Sequence, residues 1–276
     1  LTTEQKTNLN LRAYSMDDTI GKFGIEIAME GYLRGTNGVM TTTTDTHGNT
    51  TSEITTAPKN GDTVILTIDS KFQKSVQDSL SSFIKQYRDK ESIPAVGSAV
   101  VMDVNTGAIL ACATYPSYNL TTYYQDYSTL SQDKSAPLWN RALMSTYEPG
   151  STMKLAIAAA GLEEGVITEN STFYCGHIYR QFTDTTFKCL GTHGWINVKE
   201  ALNQSCNIYF YETGRLLGIN RMNDYCTRFG LGQKTGVEIA ESAGVLASPE
   251  YREAHGGTWY PGDTVQAAIG QSDNLF

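Results

Sequence analysis

The spacing of apolar and polar positions changes several times along the chain, and each change predicts an element. The Thr-rich stretch 41–51 is polar and β-branched, with a turn signal from Asp45 to Asn49, and reads as exposed ribbon. Alternation at 63–68 predicts a strand. Asp69 or Ser70 can then cap a helix, because Phe72, Val76, Leu80, Phe83 and Tyr87 recur every three or four residues. The apolar runs 95–104 and 108–113 flank Asn105, Thr106 and Gly107, a hairpin signal. A polar, Tyr-rich connection over 115–138 follows. Helical pattern returns after Pro149-Gly150 with Leu155, Ile157, Ala158 and Leu162, and two further helices are predicted over 198–202 and 207–217. From Gly230 onward Gly and Pro are frequent, and no element is predicted there.

A length of 276 residues at 30.3 kDa fits one large domain or two unequal ones. The net charge of −8 and pI near 5.0 argue against nucleic acid, whose affinity rests on Lys and Arg. The apolar stretch 155–162 falls far short of the ~20 residues needed to span a bilayer. No basic start followed by an apolar core opens the chain. The expectation is a soluble acidic domain, or the soluble part of something larger.

Candidate chemistry begins where the loop ending in Pro149-Gly150 meets an apolar helix, at Ser151-Thr152-Met153-Lys154. Spacing of i, i+3 places the amine about one turn from the hydroxyl on the same face. A serine hydroxyl needs a neighbouring base, and a lysine whose pKa is lowered by burial can serve. Ser205-Cys206-Asn207 lies 54 residues downstream, again just before an apolar helix. It supplies a second hydroxyl and an amide that can relay a proton and hold a substrate carbonyl. SxxK followed by SxN is a signature shared by penicillin-binding proteins and class A β-lactamases.

On these motifs the chain resembles the class B penicillin-binding proteins, the serine DD-transpeptidases that cross-link peptidoglycan. Gly24-Ile25-Glu26 and Leu33-Arg34-Gly35 resemble the family's pedestal, and Leu66 to Asp69 with Gln73 resembles the entry to its catalytic domain. Asn140-Arg141-Ala142, the approach Tyr147-Glu148-Pro149-Gly150, His193-Gly194 and Ala201-Leu202 follow in order. The resemblance implies an α+β fold, a serine transpeptidase/β-lactamase-like domain with an antiparallel sheet flanked by helices, and a small β-rich N-terminal pedestal. It implies a division into pedestal 1–61 and transpeptidase 62–276, the latter without its C-terminal strands. Ser151 is then nucleophile, Lys154 general base, Ser205 proton relay and Asn207 the holder of the acyl chain, and no cofactor is needed for acyl transfer. Implied partners are stem peptides ending in D-Ala–D-Ala, β-lactams and other cell-wall synthesis proteins, with no nucleic acid. The implied location is the extracytoplasmic face of the bacterial membrane, through an N-terminal anchor outside this sequence.

The family's third motif, Lys-Thr-Gly or Lys-Ser-Gly, binds the substrate carboxylate. Lys234-Thr235-Gly236 matches it in letters, but it comes only 27 residues after Asn207, inside a Gly-rich segment. The genuine motif is expected well after Gly270-Gln271. Cys175, Cys189, His193 and Cys206 are spaced C-x13-C-x3-H-x12-C and form a candidate Cys3His zinc site. A Cys175–Cys189 disulfide and three unrelated buried thiols are the competing readings. Cys206, in the middle of SxN, is expected to point away from the cleft. Cys112 reads as a small core residue, Cys226 has no visible partner, and Trp195 reads as packing rather than as a substrate platform.

Two other functions share the motifs. One is a β-lactamase or carboxypeptidase, with water resolving the acyl-enzyme and Glu212, Glu238 and Glu241 available to prime it. The other is a non-catalytic β-lactam-binding sensor or scaffold.

Overall fold

The computed structural model of the chain describes Tyr14, residues 18–88 and residues 96–276. Residues 1–13 and 15–17 of the expected pedestal, and Ala95 of the first apolar run, lie outside the described residues. The chain forms two compact units, one comprising residues up to 116 with 237–240, the other 117–236 with 241–276.

The first unit begins with two short helices, α1 (Gly24–Ala28) and α2 (Glu30–Leu33). The buried Glu30 carboxylate accepts hydrogen bonds from the Tyr14 hydroxyl at 3.0 Å and the Gly21 N–H at 2.9 Å. Strands β1 (Val39–Thr44) and β2 (Thr50–Thr56) then pair antiparallel. The Asp45 carboxylate turns the chain by accepting from the His47 and Asn49 N–H groups, both at 2.8 Å. Every residue of both strands is exposed, so cross-strand hydroxyl contacts such as Thr42–Ser52, at 3.0 Å, replace a core. The ribbon predicted from the Thr run is therefore present.

The strand predicted over 63–68 is not. That segment meets the hairpin beyond it through the Thr67 hydroxyl, which donates to the Ile109 carbonyl at 2.7 Å, and the Asp69 N–H to Leu110. Alternation was present, but no ladder formed, and Ile65 is 91% exposed. Asp69 caps α3 (Ser70–Arg88) by accepting from the Lys71 and Phe72 N–H groups. β3 (Gly97–Met102) and β4 (Ile109–Tyr115) form the hairpin expected around Asn105-Thr106-Gly107. α3 packs on β4 and bonds its free edge. The Gln73 amide takes both backbone groups of Cys112 at 2.7 and 3.0 Å, and Gln77 donates to the Thr114 carbonyl at 2.8 Å.

In the second unit the long Tyr-rich connection contains a helix, α4 (Tyr123–Gln132). After α5 (Arg141–Met144), a 3-10 turn (Gly150–Met153) leads directly into α6 (Lys154–Glu163). Four short strands follow, β5 (Phe173–Cys175), β6 (Ile178–Tyr179), β7 (Phe187–Lys188) and β8 (Gly194–Ile196), pairing as β5–β8 and β6–β7. Then come α7 (Val198–Asn203), α8 (Asn207–Leu217), α9 (Ile219–Arg228), α10 (Pro249–Ala254) and α11 (Pro261–Ala267). The last three occupy a region where no helix was predicted or where Gly and Pro obscured one.

The core of this unit is built on α6 and α8. Ile157 and Ala160 from α6 pack with Tyr209, Phe210 and Leu217 from α8 and with Val265 and Ala268 around α11. A helix buried over most of its circumference, as α8 is, belongs to a domain interior. Gly214 allows α8 to approach the end of α11, since a Cβ there would overlap the Ala268 methyl.

Tyr179 on β6 donates to Glu212 on α8 at 2.6 Å, and Arg215 binds the same carboxylate through two nitrogens at 2.6 and 3.1 Å. Burial works to raise the Glu212 pKa, but hydrogen bonds from Arg215 and Tyr179 outweigh it and hold the carboxyl below its usual range. Replacing the carboxylate with an amide leaves one acceptor oxygen for the buried Tyr179 phenol and the exposed Arg215 guanidinium, and removes the charge that Arg215 faces. Glu212→Gln is expected to lower the unfolding free energy by about 1–3 kcal/mol near neutral pH. Because the folded-state pKa is depressed, that stabilisation is present above the unfolded carboxyl pKa and is lost as pH falls through the folded one. Denaturant unfolding of both proteins at pH 7 and pH 3 checks this: the gap closes in acid, and a pH-independent gap contradicts the account.

Candidate active site and metal centre

Ser151 sits in the 3-10 turn and Lys154 is the first residue of α6, so tight winding brings hydroxyl and amine together. Lys154 Nζ lies 3.1 Å from Ser151 Oγ, 3.1 Å from Ser205 Oγ, 2.8 Å from the Ser205 carbonyl and 2.7 Å from Asn207 Oδ1. Ser205 Oγ and Ser151 Oγ are 2.9 Å apart. All four residues named from the two motifs therefore meet at one amine.

Lys154 is 2% exposed, and no carboxylate is among these neighbours. Burial drives its pKa below the ordinary lysine value, with nearby Cys189 and Cys206 opposing the shift. An ammonium has three protons for these four oxygens, whereas a neutral amine has two protons and a lone pair. In the neutral form, with its lone pair facing Ser151 Oγ, the amine would accept a hydrogen bond from that hydroxyl.

The second motif is held from behind. Ser205 has φ of +50°, in the left-handed region that non-glycine residues seldom occupy. On one side of the turn its hydroxyl and the Asn207 amide face Lys154. On the other side Cys206, fully buried, faces Cys189 at 3.8 Å between sulfurs. Cys206 thus points away from the serine site, as expected from its central place in the motif. Asn207 Nδ2 donates to the Lys188 carbonyl at 3.3 Å, and the Tyr211 hydroxyl donates to the same oxygen at 3.4 Å. Sequence reasoning missed this support, because a backbone carbonyl carries no residue signal.

Cys175, Cys189, His193 and Cys206 converge, with their ligand atoms all within 4.8 Å of one another. His193 Nδ1 lies 3.4 Å from Cys175 Sγ and 3.7 Å from Cys189 Sγ. A tetrahedral ion with metal–ligand bonds of about 2.0–2.3 Å needs ligand atoms about 3.4–3.8 Å apart, and the His193–Cys175, His193–Cys189 and Cys189–Cys206 separations of 3.4, 3.7 and 3.8 Å fall in that range. The β5–β8 pairing explains the convergence: Cys175 stands opposite Gly194, and the His193 N–H donates to the Cys175 carbonyl at 3.1 Å. Burial pushes the Cys206 thiol up. It works the same way on Cys189, but hydrogen bonds from Gly191, Asn207, Ile208 and Cys175 outweigh it and bring that thiol below its ordinary value. All five cysteines are free thiols here, including Cys175 and Cys189, so the disulfide reading is not what the structure contains. His177 stays outside the cluster; its carbonyl accepts from the Cys189 N–H.

Other sequence readings divide. Cys112 is half-buried on β4 and Cys226 is fully buried. Trp195 is 70% exposed and packs against the outward Tyr174, with ring centroids 5.6 Å apart. Its strand partner is Tyr174, while the neighbouring Cys175 is buried. Around Lys234-Thr235-Gly236, the Thr235 N–H and hydroxyl and the Gly236 N–H all bind Glu241, at 2.7–3.0 Å. This loop holds a carboxylate of its own chain, which agrees with setting it aside as the third motif. Glu212 and Glu241 are both committed to such internal contacts.

Comparison with known proteins agrees with the motifs. A family described as the penicillin binding protein transpeptidase domain matches residues 97–275, and one described as the penicillin-binding protein dimerisation domain matches 1–66. The chain is 32% identical over 272 residues to the peptidoglycan D,D-transpeptidase MrdA of Acinetobacter baumannii, covering 94% of this chain and 38% of that protein. For MrdA of Escherichia coli K12 the identity is 31%, covering 95% and 41%. Among solved structures, Pseudomonas aeruginosa PBP2 in complex with WCK 5153 matches with a TM-score of 0.79 at 30% identity, over 98% of this chain and 56% of that one. A peptidoglycan synthase complex, described as coordinating polymerization and crosslinking, matches with a TM-score of 0.83 at 32% identity, over 96% and 48%. The chain spans about two fifths of the length of these curated relatives. With the transpeptidase domain matched over more than half of its 276 residues, the chain belongs to the penicillin-binding protein transpeptidase family.

Proposed function

We propose that the protein is a serine D,D-transpeptidase that cross-links peptidoglycan stem peptides through an acyl-enzyme on Ser151. The observation that carries this reading is the buried Lys154 amine, 3.1 Å from Ser151 Oγ and held by the Ser205 and Asn207 oxygens. Lys154 takes the proton as Ser151 Oγ attacks the penultimate D-Ala carbonyl. Ser205, 2.9 Å from Ser151, passes a proton to the departing D-Ala nitrogen. Asn207 then releases one of its contacts to hold the acyl chain, and an amine of a second stem peptide resolves the ester. β-Lactams acylate the same serine. Names of the relatives, printed as peptidoglycan D,D-transpeptidase, support the same chemistry.

In this reading residues 1–61 form the non-catalytic pedestal and 62–276 part of the catalytic domain. Lys234-Thr235-Gly236 is not assigned as the third motif, because its Thr235 and Gly236 groups bind Glu241. Among the described residues no helix is long and apolar enough to cross a membrane, so the anchor holding the enzyme at the extracytoplasmic face is assigned outside them. Cell-wall proteins are its expected partners, in keeping with the solved complex of Helicobacter pylori PBP2 with MreC. Of the three glutamates that could prime water in a hydrolase, Glu212 is tied to Arg215 and Glu241 to the 235–236 loop.

Cys175, Cys189, His193 and Cys206 fit a structural zinc, which needs a closed four-ligand N/S set. Bound there, the ion would fasten Cys206, and through it the strained Ser205, to the strand pair carrying Cys175 and His193. It would take no part in acyl transfer.

Two outcomes are expected. Benzylpenicillin adds one covalent mass to the full-length protein on Ser151, none to Ser151→Ala, and acylates Lys154→Ala about 10²–10⁴-fold more slowly. The rate rises with pH as Lys154 deprotonates, with a midpoint below the ordinary lysine value of about 10.4. Absence of an adduct on Ser151 overturns the assignment. For the metal, native mass measurement finds one zinc per chain, and denaturing thiol titration after its removal finds five free thiols, all the cysteines present. Two fewer thiols would indicate the Cys175–Cys189 disulfide instead.

A further inference from the structure

The turn carrying the nucleophile is clamped from outside at two points. Gly150 donates its N–H to the Gly270 carbonyl at 2.9 Å, immediately before Ser151. Three residues earlier, Tyr147 and Phe276 exchange both backbone hydrogen bonds, at 2.7 and 2.9 Å. The approach 147–150 is therefore tied at both ends to the segment 270–276.

That segment is itself fixed. Leu275 and Val245 exchange backbone bonds at 2.6 and 3.0 Å. Asn274 is 1% exposed, donates to the Ala267 and Gln271 carbonyls at 3.1 Å each, and accepts from the Ala247 N–H at 3.0 Å. Arg252 binds Asp273 at 2.5 Å and the Ser272 hydroxyl at 3.0 Å. Nothing in this network touches Lys154, Ser205 or Asn207, yet it ends on the residue adjoining Ser151.

Gly270 is where the two segments meet. Its φ is +73°, and a Cβ there would lie 2.7 Å from the Gly150 nitrogen and closer still to its carbonyl oxygen. Backbone atoms cannot rotate aside as a side chain can. We propose that Gly270 is a positioning residue for the nucleophile: its carbonyl anchors the Gly150 N–H, and its missing side chain lets the anchor reach the turn. This rests on the reading of Ser151 as nucleophile. A misplacement of about 1 Å at a reacting atom costs on the order of 10²-fold in rate, so a displaced turn slows acylation while leaving β-lactam recognition at other contacts in place.

The test uses Gly270→Ala in the full-length protein, with Gly256→Ala as control. Gly256 also has positive φ, +79°, but a Cβ there meets nothing within 4 Å, so it reports left-handed strain alone. Stopped-flow acylation by benzylpenicillin separates the dissociation constant of the non-covalent complex from the acylation rate constant. The expected result is an acylation rate constant about 10²-fold lower in Gly270→Ala, with the dissociation constant within about threefold of wild type and Gly256→Ala close to wild type. Equal acylation rates in the two variants overturn the inference, as does a loss confined to the dissociation constant. If wild type forms no adduct on Ser151, the nucleophile reading fails instead, which is a separate result. Should Gly270→Ala not fold, hydrogen exchange of the wild-type Gly150 amide decides: protection matching core amides supports the clamp, and loop-like exchange overturns it.

Discussion

One lysine side chain, taken out of water, organises the catalytic half of this protein. Lys154 is almost fully buried, and its neighbours are two hydroxyls, a backbone carbonyl and an amide oxygen rather than a carboxylate. Burying an ammonium without a counter-ion is costly, and the ordinary escape is loss of the proton. The rest follows from satisfying that nitrogen. Ser151 must lie one tight turn before it, so the helix begins as a 3-10 turn. Ser205 must present both its carbonyl and its hydroxyl, which a residue in extended or helical backbone could not do from that position. The left-handed φ of Ser205 is the strained solution.

Strain at a functional turn persists only where the surroundings over-determine it. Here α7 and α8 enter the turn from both sides, the Cys206 thiol is buried in the Cys3His cluster, and the Lys188 carbonyl receives both Asn207 and Tyr211. The first motif is treated alike, with Gly150 and Tyr147 tied to the 270–276 segment. Both hydroxyls are thus delivered to Lys154 by loops whose backbone bonds lie on the far side. This arrangement keeps reacting atoms in register while leaving their own lone pairs and protons for chemistry.

Much of this was legible in the residues. Asp69 followed by a three–four repeat gave α3, Asn105-Thr106-Gly107 gave the β3–β4 turn, and apolar patterning after each motif gave α6 and α8. The four active-site side chains were readable because their chemistry depends on residue type and spacing. What stayed hidden depends on backbone or on tertiary contact. The stretch 63–68 alternates as a strand does, but it found no ladder. α4 lies within a Tyr-rich polar run whose exposed face carries little periodic signal. Gly270 and the Lys188 carbonyl act through the main chain, where the sequence carries no mark of their role beyond the glycine itself.

The central claim is that burial holds the Lys154 pKa below that of an ordinary lysine. Its side-chain nitrogen can be followed directly by ¹⁵N-lysine NMR, with Lys154→Arg used to assign the resonance, across a pH titration of the unacylated protein. The account predicts a titration midpoint below that of the surface lysines. A Lys154 resonance that stays ammonium-like and titrates together with the surface lysines would contradict it.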